Sequence, residues 1–179
     1  MVADNTSSPL ELVTPRVRMV RIDASHLDDL VALDSDPEVM RHVGGVSPSR
    51  EQYAEILPRM MTWSDRPFGF FAAYFEDRFT GWFHLRPSVV DDRILELGYR
   101  LRREAWGRGL ATEGSRALLR HAFTTLGERE VDACAVPENI ASTGVMKKCG
   151  MRRVGSFVHP RLPVPVDRYL VERDAAVLG

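Results

Sequence analysis

The chain has 179 residues, of which 44% are hydrophobic and 27% are charged, enough for one domain with a sizeable core. Its formal net charge of −1 excludes a general electrostatic attraction to nucleic acid or anionic membranes. No apolar run reaches the roughly 20 residues of a membrane span, and two cysteines, Cys134 and Cys149, make neither a disulfide framework nor a metal-binding spacing. We therefore predict a cytoplasmic protein without a metal site, in which both cysteines are reduced packing residues.

The N-terminal half predicts a loose leader, one strand and three helices. Residues 1–14 are small and polar, and we interpret them as a flexible leader that precedes a single domain of residues 15–179. The strict alternation of residues 16–22 predicts a strand with one exposed face. Three helices are predicted from their caps and apolar spacing: 23–34, from Asp36-Pro37 to near Gly44-Gly45, and 49–63, in which Pro58 must kink or divide the helix.

The C-terminal half predicts an antiparallel meander, a helical crossover and further strands. Because a helix connects strand 94–101 to strand 130–136, these two strands should lie parallel. The elements indicate an α/β (α+β) fold, with a mixed, mostly antiparallel sheet of about seven strands flanked by about four helices. In chain order they are strands 68–75, 81–86 and 94–101, a helix from Leu110 to near Gly127, strand 130–136, a helix at 139–149, and strands 151–159 and 166–172.

A glycine-rich corner, Gly107-Arg108-Gly109, separates strand 94–101 from the helix that begins at Leu110. Glycines that open a helix let several free N–H groups point outward at the positive end of the helix dipole. Such a corner binds phosphate or pyrophosphate, and Arg108 adds a mobile positive charge. A plain turn is the alternative, because this corner also occurs without a ligand. The residues after Gly109 fit neither a dinucleotide fingerprint nor a P-loop.

Four motifs follow one another after the meander: Leu97-Gly-Tyr-Arg-Leu101, Trp106-Gly-Arg-Gly-Leu-Ala-Thr-Glu113, Asn139-x-x-Ser142 and Lys148-x-Gly-Met151. In this order they resemble the GNAT superfamily of acetyl-CoA-dependent N-acetyltransferases, and the similarity covers residues 16–172. Within the superfamily, the Trp-Gly-x-Gly-x-Ala-Thr-Glu form and the early Asp-Pro-Glu-Val-Met segment look most like the ribosomal-protein N-terminal (alanine/serine) acetyltransferase group.

The resemblance implies acetyl-CoA as cosubstrate. By it, the corner holds the coenzyme A pyrophosphate, and the end of strand 94–101 bonds the pantetheine arm as an extra pseudo-strand, for which the two parallel strands splay apart. Asn139 and Ser142 match the family residues near the pantetheine; from the sequence alone, Asn139 is a helix cap, and the two roles are compatible. The expected coenzyme-binding residues are Tyr99, Arg100, Leu101, Trp106, Gly107, Arg108, Gly109, Leu110, Ala111, Thr112, Asn139 and Ser142.

Acetyl transfer to an amine needs a base, an oxyanion donor and a leaving-group acid. The best candidate base, direct or through water, is Glu96, on the face of strand 94–101 opposite the leucines; the alternative is an ordinary solvated glutamate at a strand edge. A main-chain N–H near Leu101 would meet the oxyanion. Many GNAT enzymes carry a tyrosine acid seven residues after the asparagine, where this chain has Met146, so Ser142 or solvent takes that role. His84, His121 and His159 are weaker candidates for proton transfer.

These residues together predict transfer of an acetyl group from acetyl-CoA to a primary amine, on a protein N-terminus or a small molecule, by direct attack in a ternary complex. The alternative, which Met146 keeps open, is a non-catalytic acetyl-CoA-binding sensor or interaction domain. No nucleic acid or membrane partner is expected, and the resemblance adds a homodimer to the candidate assemblies. A polyamine acceptor would favour an acidic cleft, and five acids cluster early, although helices normally carry solvated acids: Asp28, Asp29, Asp34, Asp36 and Glu38.

Overall fold

The computed structural model describes residues 10–44, 46–160, 162 and 164–178. Within these ranges the chain forms one eight-stranded sheet, one strand more than expected, and five α-helices, one in each of the five ranges where a helix was predicted. The strands are β1 Glu11–Val13, β2 Arg18–Arg21, β3 Gly69–Phe75, β4 Arg78–Pro87, β5 Leu95–Leu101, β6 Glu130–Ala135, β7 Arg152–Val158 and β8 Pro165–Glu172. The helices are α1 Leu27–Asp34, α2 Pro37–Met40, α3 Arg50–Met60, α4 Leu110–Arg120 and α5 Ile140–Lys148.

The sheet has the order β1-β2-β3-β4-β5-β6-β8-β7, and every neighbouring pair is antiparallel except β5 and β6. The expected mixed sheet with one parallel pair is therefore confirmed. Pairing between β5 and β6 is limited to Leu95 with Val131 and Glu96 with Asp132, although β5 continues to Leu101. The two strands separate beyond Glu96, which leaves a gap in the middle of the sheet.

Alternation along each strand divides the side chains between two cores. Leu95, Leu97 and Leu101 of β5 share one core with Phe83 and with Leu118 of α4. On the other face, Trp82 packs with residues of α1 and α3 in a second core. Large apolar side chains that are fully buried contribute roughly 1.5–3 kcal/mol each. The gap between β5 and β6 is therefore flanked by packed helices on both faces.

Strand β1 corrects the leader prediction for residues 11–13. Leu12 pairs with Met19 of β2 and packs against the first core, so tertiary contacts order a segment whose own composition is weak. Residues 1–9 lie outside the described residues, and the leader prediction for them stays a prediction. In the part of the chain that is described, no helix has the length and apolar character to cross a membrane.

Two helices differ from their predicted extents. Helix α2 ends at Met40 rather than near Gly44-Gly45, and Gly45 lies outside the described residues. Helix α3 is not divided at Pro58 but continues to Met60, where a 3-10 turn follows. Because Pro58 lies in the last turn of α3, its missing N–H costs only one hydrogen bond near the helix end.

Candidate active site

The hydrogen bonds at the two ends of β5 fix which of its main-chain groups face the gap. Arg102 N donates to Thr80 O at 2.8 Å, and Ser88 N donates to Ile94 O at 3.0 Å. In an antiparallel pair, successive residues point their main-chain N–H and C=O groups to opposite sides of the strand, so the even-numbered residues of β5 point these groups toward β4. The N–H and C=O groups of the odd-numbered residues, Tyr99 and Leu101 among them, therefore point toward the gap. Those of Arg100 do not, so a main-chain role for it in the pseudo-strand is not supported.

The glycine corner is held rigidly at the start of α4. Gly107 and Gly109 have φ angles of 70° and 80°, a left-handed conformation that favours glycine, and Gly109 caps the helix. Trp106 Nε1 donates to Leu101 O at 2.8 Å, which ties the corner to the end of β5. The free N–H groups of the first turn of α4 point out of the corner at the positive end of an 11-residue helix.

The carboxylate of Glu113, in the first turn of α4, connects the corner to the segment between β1 and β2 by hydrogen bonds. Glu113 accepts hydrogen bonds from Thr14 Oγ1 at 2.6 Å and from Arg16 Nε at 2.7 Å. Burial raises the pKa of Glu113, but these hydrogen bonds outweigh it and hold the pKa below its usual value. The guanidinium of Arg108 lies over the ring of Phe75, 4.3 Å from the centroid, and Arg108 does not line the cavity at the corner, so its charge at the corner stays a prediction.

Two cavities meet at the gap. One, of about 510 Å³, lies beside the corner and includes Lys148 in its wall. The other, of about 450 Å³, has walls from both faces of the sheet, with Met146 on one side and Glu96 on the other. The cavities therefore adjoin through the opening in the sheet. Their shared lining includes Tyr99, Arg100, Asn139 and Ser142. The corner residues that line the first cavity are Trp106, Gly107, Gly109, Leu110, Ala111 and Thr112.

Hydroxyl groups lie where the cavities meet. Asn139 caps α5 by accepting a hydrogen bond from Ser142 N at 3.1 Å, which confirms the capping role. Tyr99 Oη donates to Ser142 Oγ at 3.4 Å, a pairing that was not predicted. Burial raises the pKa of Tyr99 to about 12, so this phenol keeps its proton at neutral pH. Met146 is buried and lines the second cavity, and the hydroxyl groups beside it at the junction are those of Ser142 and Tyr99.

Glu96 is buried, with 4% of its surface exposed, so the alternative of a solvated edge glutamate is wrong. Its Oε1 accepts a hydrogen bond from Arg86 Nη2 at 2.6 Å and lies 3.4 Å from His84 Nε2. Burial raises the pKa of Glu96, but the contact with His84 and the charge of Arg86 outweigh it and leave the pKa below its usual value. Glu96 is therefore an ionised carboxylate that faces a histidine.

His84 has the environment of a base, although the sequence ranked it low. It is 6% exposed, stacks on Trp82 with ring centroids 5.6 Å apart, and lines the second cavity. Neither ring nitrogen forms a hydrogen bond with any described residue. Burial lowers the pKa of His84, although Glu96 opposes this. A Cβ at Gly98, opposite His84 on β5, would lie 2.5 Å from His84 Cε1, so this glycine makes room for the ring.

The other two histidines differ from each other. His121 is buried just after α4, where its Nε2 lies 2.6 Å from Pro67 O, so it is a packing residue. His159 is also buried and borders the second cavity. Of the cysteines, Cys149 is in the first core and Cys134 borders the second cavity, and neither forms a disulfide. Burial raises the pKa of Cys134 to about 12, which keeps its thiol unreactive.

A buried ionic group on the wall of the second cavity was not predicted. Asp34, 2% exposed, accepts a hydrogen bond from Tyr53 Oη at 2.8 Å and pairs with Arg100 Nη1. All three residues line the cavity. The only signal in the sequence was the place of Asp34 in the early acidic cluster, and nothing local pointed to its partner in β5.

Each of the five clustered acids is paired with an arginine. Asp34 pairs with Arg100 in the interior, and the others form ion pairs nearer the surface: Asp28 with Arg50, Asp29 with Arg102, Asp36 with Arg103 and Glu38 with Arg41. The cluster therefore contributes little net negative charge to the cavity.

The fold is that of an acetyltransferase of the GNAT family. The chain belongs to the acetyltransferase (GNAT) family, whose domain matches residues 16–152. It is 35% identical over 160 residues to the FsC-acetyl coenzyme A-N(2)-transacetylase of Aspergillus fumigatus, a match that covers 82% of this chain and 66% of that protein. The chain thus spans just under two thirds of that relative.

Solved structures share the fold. An acetyltransferase of the GNAT family from Bacillus anthracis has a TM-score of 0.79 at 20% identity, covering 92% of this chain and 99% of that chain. RimL, a ribosomal L7/L12 alpha-N-protein acetyltransferase in complex with coenzyme A, has a TM-score of 0.77 at 16% identity, covering 93% and 99%. At these identities the likeness concerns the fold, and the narrower resemblance to the ribosomal-protein group stays a prediction.

Proposed function

We propose that this chain transfers the acetyl group of acetyl-CoA to a primary amine by direct attack in a ternary complex. The observation that carries the proposal is the gap between β5 and β6, which joins the cavity at the glycine corner to the cavity that holds Glu96 and His84. A thioester that enters from the corner would meet an amine from the opposite face. Holding the two reactants together in this way can supply about 7–11 kcal/mol of the barrier reduction.

The residues of the corner and the gap suit coenzyme A. The N–H groups at the start of α4, with Lys148, would bind the pyrophosphate, and Tyr99 and Leu101 would pair with the pantetheine amides. A main-chain N–H near Leu101 would donate to the thioester oxygen as charge develops there. These roles keep the predicted coenzyme-binding set as a proposal, without the side chain of Arg108 and the main chain of Arg100.

His84 and Glu96 would remove the proton of the attacking amine. The acceptor nitrogen bonds to the acetyl carbon as the carbon–sulfur bond breaks, His84 takes a proton from the nitrogen, and the leaving sulfur receives one from the Ser142–Tyr99 hydroxyl pair. Glu96, held by Arg86, stabilises the protonated ring of His84 and acts through it. Because these hydroxyls replace the missing tyrosine donor, the non-catalytic alternative that rested on Met146 loses its support.

A small-molecule amine is the acceptor class that we favour over a protein N-terminus. The second cavity, about 450 Å³ in volume and reaching through the sheet, suits a small ligand. The relative from Aspergillus fumigatus is an N(2)-transacetylase, which supports transfer to an amine nitrogen. Cytoplasmic location and a homodimer stay predictions.

Replacing Gly109 by Trp should weaken acetyl-CoA binding by about 100-fold or more, since it fills the corner and removes several charge-assisted hydrogen bonds. The matched control is Gly127→Trp: Gly127 also has a positive φ, 77°, with no atom near its Cβ position, and lies outside both cavities. Calorimetric titration of both variants and the wild type measures binding, and thermal unfolding shows that each is folded. Tight binding by folded Gly109→Trp would contradict the coenzyme site.

A further inference from the structure

One wall of the second cavity contains buried polar atoms that form no hydrogen bond with any described residue. Asp34 Oδ1, Trp82 Nε1, Arg100 Nε and both ring nitrogens of His84 are buried and form no hydrogen bond within the described residues. All four residues line the cavity. A buried polar group without a partner costs about 1–3 kcal/mol, so a cluster of them at one wall indicates a place where a ligand supplies the partners.

The cluster divides into two positions along the sheet. His84 lies beside Glu96, where we place the reacting amine. Trp82 and Arg100 are paired opposite each other on β4 and β5, two residues along the strands from the pair His84 and Gly98. Two residues of a strand span about 7 Å, so the two positions are about 7 Å apart. The Arg100 guanidinium is 5.2 Å from the Trp82 ring centroid and pairs with Asp34. Asp34 and Trp82 therefore contact the same guanidinium and form one position, which we call the second subsite.

The charges at the second subsite exclude ionic partners. Asp34 is already neutralised by Arg100, and its Oδ2 also accepts from Tyr53 Oη. An ammonium group would be repelled by the adjacent guanidinium, and a carboxylate would be repelled by Asp34. The free atoms are one acceptor, Asp34 Oδ1, and two donors, Trp82 Nε1–H and Arg100 Nε–H. The complementary group is uncharged and has one donor and an acceptor oxygen whose two lone pairs can meet both donors.

We propose that the second subsite binds an amide group of the acceptor, so that this enzyme acetylates primary amines with an uncharged amide about 7 Å from the reacting nitrogen. The amide N–H donates to Asp34 Oδ1, and its carbonyl accepts from Trp82 Nε1. The inference rests on the proposed function, because it names the substrate class of that same site. It disfavours polyamines, since the clustered acids are all paired with arginines.

Three amines of similar length test the inference. They are 5-aminopentanamide, 1,5-diaminopentane, in which a methylene replaces the carbonyl, and n-pentylamine, which has no second polar group. The release of coenzyme A, followed with a thiol reagent, gives kcat/KM for each amine. We expect kcat/KM for the amide to exceed that for each of the other two by about 10-fold or more, the effect of satisfying a buried donor and acceptor.

Trp82→Phe removes the donor and keeps a ring, and should lower the ratio of amide to pentylamine efficiency by at least about 5-fold. Trp63→Phe is the matched control, because Trp63 stacks on Phe70 but does not line the cavity; the ratio should not change. Arg100→Met leaves the charge of Asp34 unpaired and should move the preference toward 1,5-diaminopentane. If Arg100→Met does not fold, the wild-type ranking and the tryptophan pair still decide.

The outcomes separate the two proposals. Equal kcat/KM for the three amines would overturn the second subsite and leave the proposed function standing, as would a ratio unchanged by Trp82→Phe. A preference of the wild type for the diamine would overturn it as well. No coenzyme A release with any amine, from a protein that binds acetyl-CoA, would overturn the acetyl transfer and the subsite with it.

Discussion

Replacing His84 by Gln should lower kcat for amine acetylation by about 100- to 1,000-fold at pH 7.5, the usual contribution of a positioned general base. Acetyl-CoA binding should persist, because His84 lies across the gap from the glycine corner. The amide side chain keeps a polar group in the buried site beside Glu96 but cannot accept a proton at this pH. Steady-state kinetics with a saturating amine, together with calorimetric titration of acetyl-CoA, measure the two effects separately.

The pH profile distinguishes a base from a packing residue. His84 must be neutral to accept a proton, and burial holds its pKa below 6.5, so kcat should fall as the pH drops through that lowered pKa. Glu96 raises the pKa of His84, so Glu96→Gln should move the acid limb to lower pH as well as reduce kcat. His26→Gln is the control, because His26 is buried against Tyr74 outside the cavity. An acid limb that survives unchanged in His84→Gln would exclude His84 as the base.

Replacing Arg86 by Met should destabilise the protein by about 3 kcal/mol at pH 7.5, because it leaves Glu96 as a buried carboxylate without the arginine that pairs with it. The Arg86–Glu96 pair is 2.6 Å long, with 15% and 6% of the side chains exposed. In the double variant Arg86→Met/Glu96→Gln neither charge of this pair remains, so most of the loss should be recovered. Urea unfolding of the single and double variants measures these free energies.

The stability lost in Arg86→Met should depend on pH in a defined direction. In the wild type the pKa of Glu96 is lowered, so its ionisation stabilises the fold above the unfolded pKa, and this stability is lost as the pH falls through the folded pKa. Without Arg86, burial should raise that pKa, and the destabilisation should then grow as the pH rises above the unfolded pKa and shrink near pH 4. Arg50→Met is the control, because its pair with Asp28 is exposed and should contribute less than about 1 kcal/mol. Equal losses for both arginine variants would contradict the argument.

The sequence was informative where the signal is local. Alternation places Glu96 on the face of β5 opposite the leucines, and the switch from strand to helix locates the corner at Gly107 and Gly109. Both depend only on the spacing of neighbouring residues. The cap at Asn139 follows from the same local chemistry. The parallel placement of β5 and β6 follows from the helix that connects them.

The features that the sequence did not predict depend on how segments that are distant in the chain pack together. The pairing of His84 with Gly98 requires the register of β4 and β5, and a slip of β4 by one residue would have turned His84 to the other face of the sheet. The ion pair of Asp34 with Arg100 joins residues 66 positions apart and forms because α1 packs against β4, the strand next to β5. Strand β1 is too short to be recognised by its pattern, and the environment of its partner strand orders it.

The hydrogen bonds of Glu113 connect the edge of the sheet to the coenzyme corner. Thr14 and Arg16, which lie between β1 and β2, both bond to the first turn of α4, and Arg16 also bonds to Arg108 O. A short edge strand of three residues opens by local unfolding more readily than the sheet centre. If ligand binding stabilises the closed corner, the opening of β1 becomes rarer by the same free energy. Amide hydrogen exchange at Glu11–Val13 should therefore slow when acetyl-CoA binds, which makes β1 a reporter of occupancy in a cavity that none of its three residues lines.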